Sequence, residues 1–380
     1  MADHTTTRPP NTMQIVQLGL GGVGQALVRH YIHLADRYPW LRYAGIADRS
    51  GLLLLDGGWT LEDLQSALGA KAGGSRLAQL AASFGTRATF TAASAESAVP
   101  PLDALFSSTR QAAAGELVVV DVTAERKAYD TLLQARQNGA HLVLCNKWAL
   151  AEDIGRYDAL VHGGSGRFLY ETTVGAALPV INVLDSLLHT GDEVTAIDAA
   201  ISGTLGYIST QIQAGVPFSA ALAGAQSLGY TEPDPRDDLG GVDARRKALI
   251  LARKLGMRLN MADIQVESLV PPGLDDISLT DFWQELPSTD KEYANRVAEA
   301  RDRGSVLRYL ARIDASGASV ALREVPLDSL AGSLSGTESL FVFHTRRYGE
   351  QPLAVRGRGA GAEITASGVL GDMLRLGGVL

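Results

Sequence analysis

At 380 residues the chain is too long for one small domain and suggests two or three packed units at roughly 100–200 residues each. An apolar fraction of 46% with 20% charged residues is ordinary for a globular protein, and 41 Gly with 14 Pro excludes collagen-like and disordered classes. The balance of 34 Lys and Arg against 42 Asp and Glu leaves a net charge of -8, which disfavours a nucleic-acid partner, since phosphates call for clustered cations.

Residues 1–11 are polar and Thr/Pro-rich without an apolar core, so they read as a disordered tail and not as a secretory signal. No apolar run approaches the ~18 residues that span a bilayer, and the expectation is a cytoplasmic protein without a membrane partner. Residues 13–18 (MQIVQL) form an apolar-rich strand ending at glycine. Residues 23–38 follow as a helix, with Val23, Ala26, Leu27, Tyr31 and Leu34 near helical spacing. A second strand covers 42–47. Helices are expected over 60–67 and 75–84, the first capped by Thr60 with Glu62 and Asp63 in its first turn. The run ELVVVD at 116–121 is a strand buried on both faces. A helix over 126–138, closed by Gly139, leads to another buried strand at 141–145. This alternation predicts a doubly wound parallel sheet.

Beyond about 168 the character changes. Glycine-bearing loops are expected at 203–208 (GTLGYI) and 230–240, a helix over 244–255, β-rich chain over 306–343, and a final helix over 361–374 after a glycine-rich turn. No internal repeat or low-complexity linker interrupts the chain.

Four groups of residues carry chemistry. Gly19-Leu20-Gly21-Gly22-Val23-Gly24 fits G-x-G-x-x-G between a strand and a helix. Gly19 permits the tight turn, Gly21 lets a pyrophosphate approach the backbone, and Gly24 lets helix and sheet pack closely. The helix N-terminus adds free N–H groups for the anion. The bland alternative is a turn without function. At the end of the second strand, Asp48 favours a ribose 2′-OH and hence NAD, whereas Arg49 with Ser50 favours the 2′-phosphate of NADP. The balance leans to NADP, with a solvated charged turn as the alternative. Lys147 stands just past a strand C-terminus, where cofactor or substrate carboxylates bind, or where a surface lysine opens a helix. The single cysteine, Cys145, excludes a disulfide framework and a multi-cysteine zinc site, and reads as a small apolar residue rather than a nucleophile. Finally, the stiff acidic stretch GYTEPDPRDDL at 229–239 feeds a helix on which Asp243 and Lys247 share a face. They form either a solvated ion pair or, with the acids, a site that binds an ammonium group and moves a proton through Lys247.

GYTEPDPRDDL followed by GVDARRKALILARKLG resembles the signature of homoserine dehydrogenases. LGLGGVG, VVVDVT, CNKWALA, YETTVGAALPVI, ISGTLGYI and GRGAGAEITASGVLGDML resemble further segments of that family in the family's order, over residues 13–376. The resemblance implies a Rossmann-type doubly wound sheet plus an α+β domain. Residues 12–165 would bind NAD(P), residues 166–345 would carry catalysis and dimer contacts, and residues 346–380 would return to the first domain, with the active site in the cleft between. It implies reversible oxidation of L-homoserine to L-aspartate 4-semialdehyde, on the way to threonine, methionine and isoleucine. Lys247 would shuttle the hydroxyl proton, and Lys147 would stand between nicotinamide and substrate. Glu232 would bind the amino group, with Asp243 at the same site and Asp238 as a further acid. The cofactor would meet Gly19, Gly21, Gly22, Val23, Gly24, Arg49, Thr123, Lys147 and Gly361. Glu171, Val174, Ala176 and Leu178 match a monovalent-cation site, often sodium, in which backbone carbonyls dominate; oxygen ligands suit a hard cation.

Three departures from the family pattern stand out: Ala177 where glycine is common, Trp148 after the Asn-Lys pair, and the loosely similar stretch 51–108. The chain ends about where the oxidoreductase core ends, so the expectation is no threonine feedback through an appended module; a threonine titration of activity checks it. The competing readings are an oxidoreductase for another amino-bearing alcohol, in which Glu232 and Asp243 would be dispensable, and a cofactor-binding sensor without turnover. The retained Lys147 and Lys247 speak against the sensor.

Overall fold

The computed structural model describes residues 11–93, 102 and 116–380; the tail expected over 1–11 lies outside them except for Asn11. The chain divides into two compact units. One holds the chain through Ala177 together with Gly361–Leu380, and the other holds Leu178–Ala360.

The first unit is built on a seven-stranded sheet in the order β4-β3-β2-β1-β5-β6-β7. Its strands are β1 (Met13–Leu18), β2 (Leu41–Asp48), β3 (Gly51–Leu55), β4 (Ala88–Ala92), β5 (Glu116–Asp121), β6 (His141–Leu144) and β7 (Phe168–Leu169). From β2 to β7 every pairing is parallel, and β3 and β4 add an antiparallel edge. The parallel, doubly wound expectation is borne out, and the two edge strands are additions to it. GLLLL at 51–55 is a short apolar run right after a strand, and such runs are ambiguous by periodicity alone.

Local chemistry explains most element ends. The helix Gly22–Leu34 stops short of the expected 38, because Pro39 disfavours helical backbone at the residue before it. Thr60 caps the helix Leu61–Ala72 as expected: Asp63 N–H donates to Thr60 Oγ1 at 3.1 Å, and Thr60 N–H donates to Asp63 Oδ2 at 2.9 Å. The helix expected over 75–84 is instead Leu77–Ala81 plus a 3-10 segment, Ala82–Arg87, broken at Gly85 with φ 57°.

The C-terminal helix Ala362–Leu376 packs beside Gly22–Leu34 and buries Ala366, Val369 and Met373 in the same apolar core as Ile15, Leu27 and Val28. That burial is why a segment distant in sequence belongs to the first unit. The helix also buries a carboxylate, Asp372, which accepts from the Glu171 N–H at 2.9 Å and pairs with Arg375 at 3.2 Å.

The second unit contains a six-stranded sheet, β13-β12-β8-β10-β11-β9. Here β8 is Val194–Ala200, β9 Gln265–Val266, β10 Ser305–Asp314, β11 Gly317–Pro326, β12 Ser339–Thr345 and β13 Leu353–Gly357. All pairings are antiparallel except β11 with β9. The expected β-rich stretch is therefore three long strands. The expected loop at 203–208 is instead the start of a helix, Gly203–Gln213, capped by Ser202, whose Oγ accepts from the Leu205 N–H at 3.2 Å. Buried Leu205, Ile208 and Ile212 stabilise it against the low helix propensity of its two glycines.

Burial lifts the Asp372 carboxyl to about 7 from 3.8, reinforced by Glu171 and opposed by the Glu171 N–H and by Arg375. The folded chain thus keeps a proton that the unfolded chain has already released, so this group lowers stability progressively as pH rises from about 4 to about 7. Asp372→Asn, which holds no such proton, is expected to flatten that decline in urea melts taken from pH 4 to 8. Parallel slopes for parent and variant would refute the assignment.

Candidate active site

In the first unit a cavity of about 560 Å³ opens where the loops leave β1 and β5. This is the point where strand order reverses, since the chain runs outward from β1 through β2 and then returns to β5 on the other side. Open α/β sheets bind ligands at such a switch point. Leu18 to Val23 line one wall and Val122 to Glu125 another, with Ala47, Asp48, Arg49, Lys71 and Arg76 completing the rim.

The glycines divide the work as the motif predicts. Gly19 holds φ 104°, a backbone that side chains rarely adopt. A Cβ on Gly24 would stand 2.2 Å from the Gly19 carbonyl oxygen, so only glycine allows this helix to start against its own turn. A Cβ on Gly21 would meet nothing within 4 Å, which leaves space over a lining residue for a ligand. The turn is held from below by Gln17, fully buried, whose Nε2 donates to the Gly19 and Gly24 carbonyls at 2.8 and 3.1 Å. Tyr43 Oη in turn donates to Gln17 Oε1 at 2.7 Å. Sequence reasoning missed this pair; a glutamine inside an apolar strand was the available signal.

Asp48 does not offer a free carboxylate to a ribose. One oxygen accepts from the Ser50 N–H at 2.8 Å and from the Ser50 hydroxyl; the other accepts from the Leu77 N–H at 3.1 Å and from Lys71 at 3.4 Å. Burial alone would raise this carboxyl, but those hydrogen bonds and the Lys71 charge outweigh it and hold it below the usual range. Ser50, expected to join Arg49 in a phosphate pocket, is instead committed to Asp48 and the Ala78 N–H. The cations on the rim are Arg49, Lys71 and Arg76. Arg49 is 84% exposed and pairs with Glu125 at 3.3 Å.

Thr123 lies on the wall beside Gly19. Gly361 caps the C-terminal helix, and the neighbouring Ala362 Cβ lies 3.7 Å from where a Cβ on Gly22 would stand. Gly24, Lys147 and Gly361 are not among the cavity's lining residues. Lys147 follows Asn146, and Asn146 is buried and bonded to Asp121, Thr123 and the Glu125 carbonyl.

In the second unit, Lys247 projects from the helix Val242–Lys254, with its side chain 14% exposed. Its Nζ donates to the Ile201 carbonyl at 2.8 Å and pairs with Asp243 Oδ2 at 2.9 Å. A lysine ammonium has three donors, so one remains for a ligand oxygen. Three residues beyond Ile201, the Thr204 hydroxyl bonds the Tyr230 carbonyl and lies 3.1 Å from Asp238 Oδ1. Asp238 Oδ2 accepts from the Glu232 N–H at 2.7 Å. Burial raises the Asp238 carboxyl, more than the hydrogen bonds from Glu232 and Thr204 lower it, and the Glu232 and Asp237 charges add to the rise. Arg236 locks Asp234 at 2.6 Å and donates to the Leu274, Asp275 and Ile277 carbonyls. The structure thus sorts acids that sequence could not separate: Asp234 and Asp238 shape the loop, Asp243 holds Lys247, and the exposed Glu232 carboxylate makes no hydrogen bond or ion pair among the described residues.

For the expected cation set, Glu171, Val174 and Ala176 are buried in the first unit, and Leu178 is the first residue of the second. Ala176 has φ 52°, alone among the described non-glycine residues in being positive. Among the described residues no group of three or more His, Cys, Asp or Glu could hold a metal ion.

Residues 179–374 match the family described as homoserine dehydrogenase, and residues 19–163 match that family's NAD-binding domain. The chain belongs to the homoserine dehydrogenase family. It is 43% identical over 269 residues to a bifunctional aspartokinase/homoserine dehydrogenase of Zea mays, covering 69% of this chain and 29% of that protein. A homoserine dehydrogenase of Paracoccidioides brasiliensis is 36% identical over 279 residues, 70% of this chain and 75% of that one. A solved structure of a Candida auris protein of unknown function superposes with TM-score 0.83 at 28% identity, covering 96% of this chain and 98% of that one. The chain spans under a third of the length of the maize relative. The expected family and the Rossmann-type sheet are borne out, and nearly all of the cavity's lining falls within residues 19–163, which match the family's NAD-binding domain.

The two glycines give a test within this homoserine dehydrogenase family fold. Gly24→Ala is expected to destabilise by about 1–3 kcal/mol through overpacking. Gly21→Val, at the helix N-cap, should cost about 0.5–1 kcal/mol, less than Gly24→Ala, yet abolish dinucleotide binding. Urea melts and NADPH fluorescence titration measure both, and equal stability losses would refute the division of roles.

Proposed function

We propose that this chain catalyses the reversible interconversion of L-homoserine and L-aspartate 4-semialdehyde with NADP(H), in the biosynthesis of threonine, methionine and isoleucine. The observation that carries the reading is the Lys247 ammonium, held by Asp243 and the Ile201 carbonyl with a third donor left over. The ion pair with Asp243, itself 51% exposed, contributes no more than about 1 kcal/mol to folding; its consequence is the orientation of Nζ.

Glu232 binds the substrate ammonium, on a loop set by Asp238 and Thr204. A desolvated ammonium needs such a partner. Lys247 takes the proton as the hydroxyl is oxidised and returns it to the oxygen when the aldehyde is reduced. In that direction its positive charge also stabilises the developing alkoxide. When bound, the nicotinamide supplies or accepts the hydride. The amides of Gly19 to Val23 hold the pyrophosphate, with Gly24 letting the helix pack against the turn, and Thr123 and Gly361 complete the cofactor contacts. Lys147 serves at the nicotinamide end.

Three cations on the rim and an Asp48 already occupied support NADP over NAD. For the cation site, a buried carboxylate at Glu171 and backbone carbonyls turned by the Ala176 conformation are hard oxygen donors that fit sodium. Its role would be to fix the 171–178 turn. The family resemblance supports a homodimer, which sedimentation tests.

The experiment is absorbance at the nicotinamide band with L-homoserine and either NADP+ or NAD+. Lys247→Ala is expected to lower kcat by about 10²–10⁴-fold with cofactor affinity retained. Lys71→Ala with Arg76→Ala should cut the preference for NADP+ by roughly ten- to a hundredfold, the worth of charge-assisted hydrogen bonds. A parent that binds NADPH but leaves homoserine untouched at every pH would overturn the reading.

A further inference from the structure

Asp121 ends β5 and is fully buried, and it is not among the residues that line the cavity. Its Oδ1 accepts from the Thr123 N–H at 2.8 Å and the Thr123 hydroxyl at 2.7 Å. Its Oδ2 accepts from Asn146 Nδ2 at 3.0 Å, and its backbone carbonyl accepts from the Cys145 N–H at 2.8 Å. Asn146 then donates to the Glu125 carbonyl at 2.9 Å and, through Oδ1, accepts from the Trp148 N–H at 2.9 Å. One carboxylate therefore ties the loop after β5, which lines the dinucleotide cavity, to the loop after β6, which carries Lys147.

We propose that Asp121 is a positioning residue of the reaction, setting the register of Lys147 by holding Thr123 and Asn146 at once. This rests on the functional reading above. An ionisable group in this place is costly: burial lifts its carboxyl to about 6, against the hydrogen bonds from Thr123 and Asn146, with the Glu125 charge adding to the rise. A neutral amide would not serve equally well. In Asp121→Asn the amide oxygen can still accept from Thr123, but its NH₂ then faces the NH₂ of Asn146, donor against donor. The side-chain bond to Asn146 is lost while the volume stays the same, and the loop is left with the Cys145 backbone bond and the bonds of Asn146 to Thr123 and Glu125.

The single cysteine offers a local readout, since Cys145 sits in that loop and is partly buried. Asp121→Asn is expected to react faster with iodoacetamide at Cys145 and to lose roughly ten- to a hundredfold in kcat, the cost of a misplaced catalytic group, with little change in NADPH affinity. Circular dichroism establishes the folded fraction. If Asp121→Asn does not fold, Asn146→Ala removes the same link from the other side and should show the same pattern. Parent-like thiol reactivity and kcat in the folded variant would overturn the proposal, as would losses that only track unfolding. Should the parent itself fail to turn over homoserine, the functional reading falls, while the thiol rate still decides whether Asp121 holds the loop.

Discussion

The first unit depends on a register. In its parallel sheet Leu18 of β1 lies opposite Asp121 of β5, and Asp121 lies opposite Leu144 of β6. Three loops therefore leave the sheet at one level and on one edge. Parallel strands end with their exits side by side, and the βα crossovers point the helix N-termini there. The Gly19 turn, the Thr123 wall and the Asn146–Lys147 loop all lie at that edge. Its stiffness comes from buried polar groups rather than from apolar packing. Gln17 holds the glycine turn through two carbonyls, and Asp121 holds the other two loops through side chains. Satisfied polar networks of this kind specify one arrangement, because any alternative leaves a buried donor or acceptor unpaired.

The second unit uses the same device with a different outcome. Its helix Val242–Lys254 presents a lysine whose donors are mostly spent on its own surroundings. The acidic loop looks redundant as a string of letters, yet its acids stand in different surroundings. Asp234 is consumed by Arg236, whose other bonds reach three carbonyls of 274–277. Asp238 is partly buried and disfavoured as an anion, and it orients the Glu232 backbone. That leaves the exposed Glu232 and Asp237 carboxylates without a hydrogen bond or ion pair among the described residues.

Similar pairing occurs on the rim of the cavity. Both oxygens of Asp48 are taken, one by Ser50 and the other by Leu77 and Lys71. Of these, Leu77 and Lys71 come from the stretch between β3 and β4. The helices that join the two edge strands thus reach the rim of the cavity.

Amino-acid order by itself determined the glycine turn, the alternation of strands and helices, the Thr60 cap, the Lys247 helix and the family. These depend on interactions within a few residues, such as a positive φ at Gly19, an i, i+4 pair or a capping hydroxyl, and so leave a pattern in the order of side chains. Only the tertiary structure decided the edge strands β3 and β4, the helix that starts at Gly203, the occupation of Asp48, and the links made by Gln17, Tyr43, Asp121 and Asn146. Most of those involve a partner 23 or more positions away, as in Asn146 with Thr123 or Leu77 with Asp48, or burial against a distant segment. A lone polar letter in an apolar strand signals that some partner exists; which partner it is follows from the strand register, and that is set by the packing of the whole sheet.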